Sequence, residues 1–225
     1  MATSFHDTAK SGTDNSSGTS TATADALAVT AGDLIVVVAK WEQALAGATV
    51  SVSDGTDTYT AATTAQAHTN NDLNMQMFWT TATTTGTRTI TATHTAARTF
   101  RRLGAISITP TSGYTWTIGN TGQGTNGNSN ASPTAGSVAG VSAGVAIMAA
   151  GLYGDRDFTA GTGWTVPTEF ATANMAVMEY DLTPTGTITG DGSFSAGVEW
   201  LAHVAIFQEN APVSAVKRGL LLGVG

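Results

Sequence analysis

Four histidines, His6, His68, His94 and His203, are the side chains of this 225-residue sequence best placed to exchange protons near neutral pH. They stand far apart, with neither His-x-His nor His-Glu-x-x-His spacing. They are therefore expected as solvent or loop histidines, and no metal site is assigned to them. Asp54, Asp57, Asp155 and Asp157 lie in or near glycine-containing loops, where carboxylates can hold calcium. Asp155-Arg156-Asp157 lacks the further oxygen ligands of a calcium loop, so turn-forming aspartate is the expectation. A serine nucleophile needs a base and an orienting acid, and Gly192-Ser193-Phe194-Ser195-Ala196-Gly197 reads only as a low-complexity loop. Gly122-Gln123-Gly124-Thr125-Asn126-Gly127 has the spacing of a dinucleotide fingerprint, but more Gly and Asn follow it where a helix is required. Glu179 and Glu199 fall in alternating patterns and are expected to be exposed. No catalytic residue and no cofactor is assigned, and the chain is expected not to be an enzyme.

Cations are scarce: 9 Lys plus Arg stand against 16 Asp plus Glu, for a net charge of −7. Phosphate binding needs a cationic surface, so nucleic acid is not expected as a partner. Arg98, Arg101 and Arg102 form the one local cluster. On a regular strand Arg98 and Arg102 share a face and Arg101 points the other way, which suggests a solvated edge or an inter-subunit salt-bridge site. Flat aromatic faces suit sugar rings. Trp79 and Trp200 fall in regular strands and are expected in the core, which leaves Trp116 and Trp164 as candidates for an exposed or subunit-contact role.

The elements that carry these residues read as strands. Charged residues make up 11% of the chain and apolar residues 41%, with a mean hydropathy of +0.05. About 40 threonines and 26 glycines fill much of the rest, a composition suited to pleated, half-buried surfaces and tight turns. Cysteine is absent, which excludes disulfides and thiolate metal sites.

The chain is also written twice. Between 74–89 and 174–189, seven of sixteen positions are identical, among them Asn74/Asn174, Met75/Met175 and Gly86/Gly186. About two matches are expected by chance in so threonine-rich a chain. The same offset of one hundred pairs Phe100 with Trp200, Leu103 with His203 and Ala105 with Ala205, so His203 is expected to be a partly buried structural histidine. Upstream the better offset is 112, which sets Gly12 on Gly124 and Ala31-Gly32 on Ala143-Gly144.

Each repeat reads as a succession of strands. Residues 33–39 form an apolar run buried on both faces. Asp54-Gly55 marks a hairpin between 48–52 and 56–61. The second repeat offers strands at 144–152, 163–166, 173–180, 185–190 and 199–207. Segment 119–136, rich in Gly and Asn, reads as a flexible connector. The fold expected is all-β: a jelly-roll-like β-sandwich with an internal pseudo-twofold duplication, from repeats at about 3–108 and 115–208 within 1–210. Two small sandwiches in tandem are the alternative.

Residues 211–225 follow the last repeated strand, and an apolar tail containing Leu220, Leu221 and Leu222 is a hazard in water. It is expected to dock on a neighbouring subunit, by strand addition at a sheet edge. The N-terminus shows no apolar run of a signal peptide, and no stretch is long enough to span a bilayer. Synthesis in the host cytoplasm and no membrane partner are the corresponding expectations.

Ala31-Gly32-Asp33-Leu34-Ile35-Val36-Val37 opens a central strand, and Val52-Ser53-Asp54-Gly55-Thr56-Asp57-Thr58-Tyr59 forms a hairpin. With the lack of cysteine and the Thr/Gly/Ala richness, the chain resembles virion structural proteins of tailed bacteriophages, such as capsid decoration and accessory head or tail proteins. The resemblance lies in overall style across most of the chain. It implies a place in the virion, homo-oligomers (often trimers), binding to other virion proteins and no reaction catalysed. A carbohydrate-binding or adhesin module for host-surface recognition is the rival reading.

Overall fold

The computed structural model describes residues 3–42, 49–68, 73–154, 156–171, 177–181 and 183–212. The first half contains β1 (Ser4–Phe5), β2 (Lys10–Asp14), β3 (Gly18–Ala22), β4 (Leu27–Val29), β5 (Leu34–Glu42), β6 (Val50–Ser53), β7 (Thr60–Ala61), β8 (Gln66–Ala67), β9 (Leu73–Thr81), β10 (Gly86–Arg88) and β11 (Thr91–Thr109). The second contains β12 (Thr115–Asn130), β13 (Thr134–Ala139), β14 (Gly144–Leu152), β15 (Phe158–Ala160), a single turn of helix α1 (Thr168–Ala171), β16 (Val177–Asp181), β17 (Thr187–Phe194) and β18 (Val198–Asn210). The protein is all-β, and every strand pair among the described residues is antiparallel.

Strand order repeats between the halves. The inner sheet of the first half runs β1/β2, β11, β5, β9, β7/β8; that of the second runs β12, β18, β14, β16. Each half adds an outer sheet: β3 and β6 flank the N-terminal part of β11, and β13 and β15 flank β17. Among the described residues no sheet mixes strands of the two halves. Instead, the two inner sheets pack face to face, so four sheets are stacked.

That stacking explains why β5 is apolar throughout. Ile35, Val37, Ala39 and Trp41 face the outer sheet of their own half, in a cluster with Leu27, Val29, Val50 and Val52. Leu34, Val36 and Val38, with Met75, Met77, Ile106 and Ile108, join the core of the second half. A strand alternates its faces, so one buried on both must be apolar at both parities. β14, GVAIMAAGL, is likewise fully buried. Across the junction Trp79 meets Phe207 at a ring separation of 5.7 Å. Glu209 accepts hydrogen bonds from Thr3 Oγ1 (2.8 Å) and from Thr111 N (2.6 Å).

The segment expected as a flexible connector is mostly strand. β12 pairs with β18 along most of its length, and Gly122 and Gly124 let the backbone of β13 approach where a side chain would not fit. A Cβ at Gly124 would lie 1.8 Å from Thr134 O, and one at Gly12 would lie 2.0 Å from Ala22 O. These two glycines, matched by the sequence repeat, thus do the same work in both halves.

Near Asp54-Gly55 only a single bridge, Ser53 to Thr58, closes a hairpin. β6 pairs with β11 and β7 pairs with β9, so the flanking segments diverge. The turn itself forms as expected: Gly55 has φ +78°, and Asp54 Oδ1 accepts from Thr56 N and Asp57 N. Residues 163–166 form no strand of the expected kind; β15 lies earlier. Among the described residues no helix is long and apolar enough to cross a membrane.

Candidate binding pocket at the junction of the two halves

Trp116, expected at the surface, is buried in the core shared by the halves. Trp164 is half-buried against the same core, and its Nε1 donates to Thr189 O at 3.0 Å. Neither ring is an open platform. Leu220, Leu221 and Leu222 lie outside the described residues, as do Asp155 and the Asn174-Met175 half of the repeat match.

Asp54 and Asp57 are occupied. Arg88 Nε lies 3.4 Å from Asp54 Oδ2 and 3.3 Å from Asp57 Oδ2, with both carboxylates fully buried. Burial raises the Asp57 carboxyl, but hydrogen bonds from Thr83 Oγ1, Thr83 N and Arg88 outweigh it and hold it below its ordinary value. Tyr59 donates its hydroxyl to Asp54 Oδ2 at 3.1 Å, and burial together with that carboxylate pushes its pKa up. This is a folding knot of Arg, two Asp and Tyr.

His6 is exposed, as expected, but His68, His94 and His203 are more buried than expected. His203 is completely enclosed at the junction, with Nδ1 2.7 Å from Thr63 Oγ1 and Nε2 3.0 Å from Gln66 Oε1 and 3.1 Å from Gln123 Nε2. Thr63 Oγ1 also accepts from Met77 N at 3.2 Å, which ties the His203 contact to β9. Burial lowers the His203 pKa to about 3. His94 sits beside Trp41, with ring centroids 4.9 Å apart, and is lowered to about 4 by burial and then by Arg101 and Arg98. His6 Nδ1 lies 2.8 Å from the buried carboxylate of Asp33, and His68 Nδ1 lies 3.7 Å from Glu199.

The arginine cluster departs from its expected arrangement in two ways. All three side chains are buried, not solvated. Arg98 and Arg101 share a side, near His94, while Arg102 lies opposite Lys40 in the register of the inner sheet. The cause is a bulge: Thr99 pairs with Glu42 and Arg102 with Lys40, so β11 carries one residue more than β5 over this stretch. Arg101 turns inward to Thr21 Oγ1 (2.9 Å), Ser16 O (2.9 Å) and Asp14 Oδ2 (2.5 Å). Here β11 passes from the outer to the inner sheet.

The bulge also builds a pocket. Phe100 takes φ +45°, and it is the one non-glycine residue with positive φ among those described. The residue is 43% exposed; among the described residues the other large apolar residue so exposed is Tyr153, at 47%. Both line one cavity of about 240 Å³ with Asn15, Lys40, Glu42, Arg102 and Gly154. Lys40 and Arg102 are 2% and 4% exposed, and Lys40 Nζ lies 2.5 Å from Glu42 Oε1. The cavity thus presents two aromatic faces, two cations, one carboxylate and one amide. The first half supplies all of it except Tyr153-Gly154, which follows β14.

Phe100 was visible in the sequence only as the repeat partner of Trp200, which is buried. No periodicity signals the bulge that separates their fates. Gly140-Val141-Ser142-Ala143-Gly144 also has the Gly-x-Ser-x-Gly spacing of a nucleophile elbow. It joins β13 to β14 as strand–bend–strand, lacking the helix such an elbow requires, and no hydrogen bond links Ser142 to a histidine among the described residues.

A second surface open to contact is the edge of β12. This 16-residue strand, TWTIGNTGQGTNGNSN, carries no charged residue and no proline, and its ladder partner among the described residues is β18 alone. Comparison with known protein families, curated proteins and solved structures finds no match for the chain.

Proposed function

We propose that the chain is a non-catalytic structural component of a particle of the tailed-bacteriophage type, a capsid decoration or accessory head or tail protein that binds neighbouring subunits, copies of itself among them. The observation that carries this reading is the β12 edge. Natural sheets guard long edges with lysine, proline or short strands, because unpaired backbone groups recruit another chain. β12 is long and carries neither lysine nor proline; register shifts at Ile118/Thr121 and Asn126/Asn130 bound its regular stretch, Thr121 to Asn126, whose edge suits pairing. The test is mass spectrometry of purified particles with copy number per particle, together with light scattering of the isolated protein. A fixed copy number and a stable oligomer are expected. A strictly monomeric protein missing from particles overturns the proposal.

A second reading, a carbohydrate-binding or adhesin module, is favoured by one observation: the two exposed large apolar residues among those described line the same cation-containing cavity. Its test is a glycan array, where binding to no glycan removes it.

A further inference from the structure

We propose that the β12 edge of one copy receives residues 219–224 of a second copy as an added antiparallel strand, with Gly219 opposite Asn126 and Val224 opposite Thr121. This rests on the assembly reading and names the partner of that edge.

The acceptor is more than an unguarded edge. Thr121 to Asn126 pairs regularly with β18 on one side, and no described strand pairs with it on the other. Beside this stretch runs a groove of about 470 Å³, lined by Thr121 and Gln123 of β12, by residues 61–65 and by Gln76. Its described lining is alanine, threonine and glutamine throughout, so it suits uncharged side chains. Strand addition takes its affinity from main-chain hydrogen bonds and its specificity from pockets that accept alternate side chains. Edge and groove together supply both.

Gly219-Leu220-Leu221-Leu222-Gly223-Val224 has the matching chemistry. It is six residues long, like the regular stretch of β12, and holds neither charge nor proline. In a strand Leu220 and Leu222 share one face, which presents two neighbouring apolar side chains to the groove. Lys217 and Arg218 precede it, and segment 213–225 holds no acid; taking these two cations from the net charge of −7 leaves −9 on the rest of the chain. The segment is thus attracted to a second copy whose body is otherwise repelled.

Reach and direction decide between the segment's own copy and another. β18 ends at Asn210 beside Thr115, and a Cβ at Gly113 would lie 3.8 Å from Pro212 Cγ. The chain therefore passes Pro212 at the end where β12 begins. From Thr115 to Asn126 is about 36 Å of strand. Gly219, seven residues beyond Pro212, reaches about 25 Å at most. It falls short of Asn126 in its own copy, so on its own edge the segment could run only parallel to β12. Parallel pairing is the weaker ladder, and every described pair in this fold is antiparallel. A segment from a second copy is free to run antiparallel.

The chain has no cysteine, so introduced thiols report pairing without background. Full-length Thr125→Cys and Leu220→Cys proteins, mixed and oxidised, are expected to form a disulfide-linked dimer containing one of each, identified by mass spectrometry. No such dimer overturns the proposal. Thr125→Cys alone giving an equal yield of homodimer overturns it in favour of edge-to-edge pairing. A protein with both substitutions that closes a disulfide within one chain overturns it in favour of the segment's own edge. The variant carrying Leu220→Asp and Leu222→Asp is expected to lose the oligomer in light scattering while its melting temperature stays within a few degrees of wild type. An oligomer that survives in this variant, with particle copy number unchanged, overturns the proposal and leaves the assembly reading standing. A wild-type protein that is monomeric and missing from particles overturns both.

Discussion

At the scale of single residues, the sequence exposes chemistry that the fold then puts to structural use. His203 and His94 are held neutral, with pKa values of about 3 and about 4 against an ordinary value of about 6.5. A depressed histidine binds its proton more tightly in the unfolded chain. The stability each provides is therefore complete above pH about 6.5 and is lost as pH falls toward the folded value, at up to about 1.4 kcal/mol per pH unit for each proton. Urea unfolding between pH 7 and 4.5 should show this slope, and His203→Gln with His94→Gln should flatten it. An equally steep slope in the double variant would show that other groups carry it. The aspartates stabilise in a different window: Asp57, depressed below its ordinary value, contributes above that value and loses its contribution only as pH falls below it. Arg88→Ala would leave the buried Asp54 and Asp57 carboxylates without their cation, and a loss of about 3–5 kcal/mol in urea unfolding is expected.

At the scale of elements, register decides what the residues mean. An offset of one hundred pairs Leu103 with His203, yet Leu103 lies in the core of the first half and His203 at the junction. Gly12 pairs with Leu103 and Gly124 with Ala202, so the structural equivalent of Leu103 is Ala202. A slip of one residue reverses every face of a strand, and identity matching in a threonine-rich chain does not detect it. The bulge at Phe100 acts in the same way, reversing the expected pairing of Arg98, Arg101 and Arg102. The matched glycines, by contrast, mark real equivalence. Gly12→Ala and Gly124→Ala should each destabilise by more than about 1–3 kcal/mol, since each methyl would meet a backbone carbonyl that belongs to a ladder. Thermal melting of the two variants checks this, and a wild-type melting temperature in either would refute the close-approach account. At the β12 edge, lysines placed at the exposed Thr121 and Thr125 should reduce any self-association while leaving the melting temperature within a few degrees. Light scattering reads the outcome.

At the scale of the whole molecule, the two halves keep separate sheets but share a core. A fragment of residues 1–112 would expose Leu34, Val36, Val38, Met75 and Met77. At about 1.5–3 kcal/mol for each buried side chain, that is roughly 10 kcal/mol, comparable with the whole stability of a typical domain. The fragment is therefore expected to aggregate or dimerise, and the full chain to unfold in one calorimetric transition. Two separated transitions would show that the junction couples the halves weakly. From the sequence alone came the all-β class, the duplication, the doubly buried β5 and the turn at Asp54-Gly55. These follow from composition and from local periods of two, which any stretch of chain displays without its partners. Only the tertiary structure decided that β12 is a strand, that Trp116 is buried, and that Phe100 and Tyr153 share one cavity. Each depends on which distant segment lies opposite, and a bulge or a one-residue register shift, invisible to local pattern, determines that.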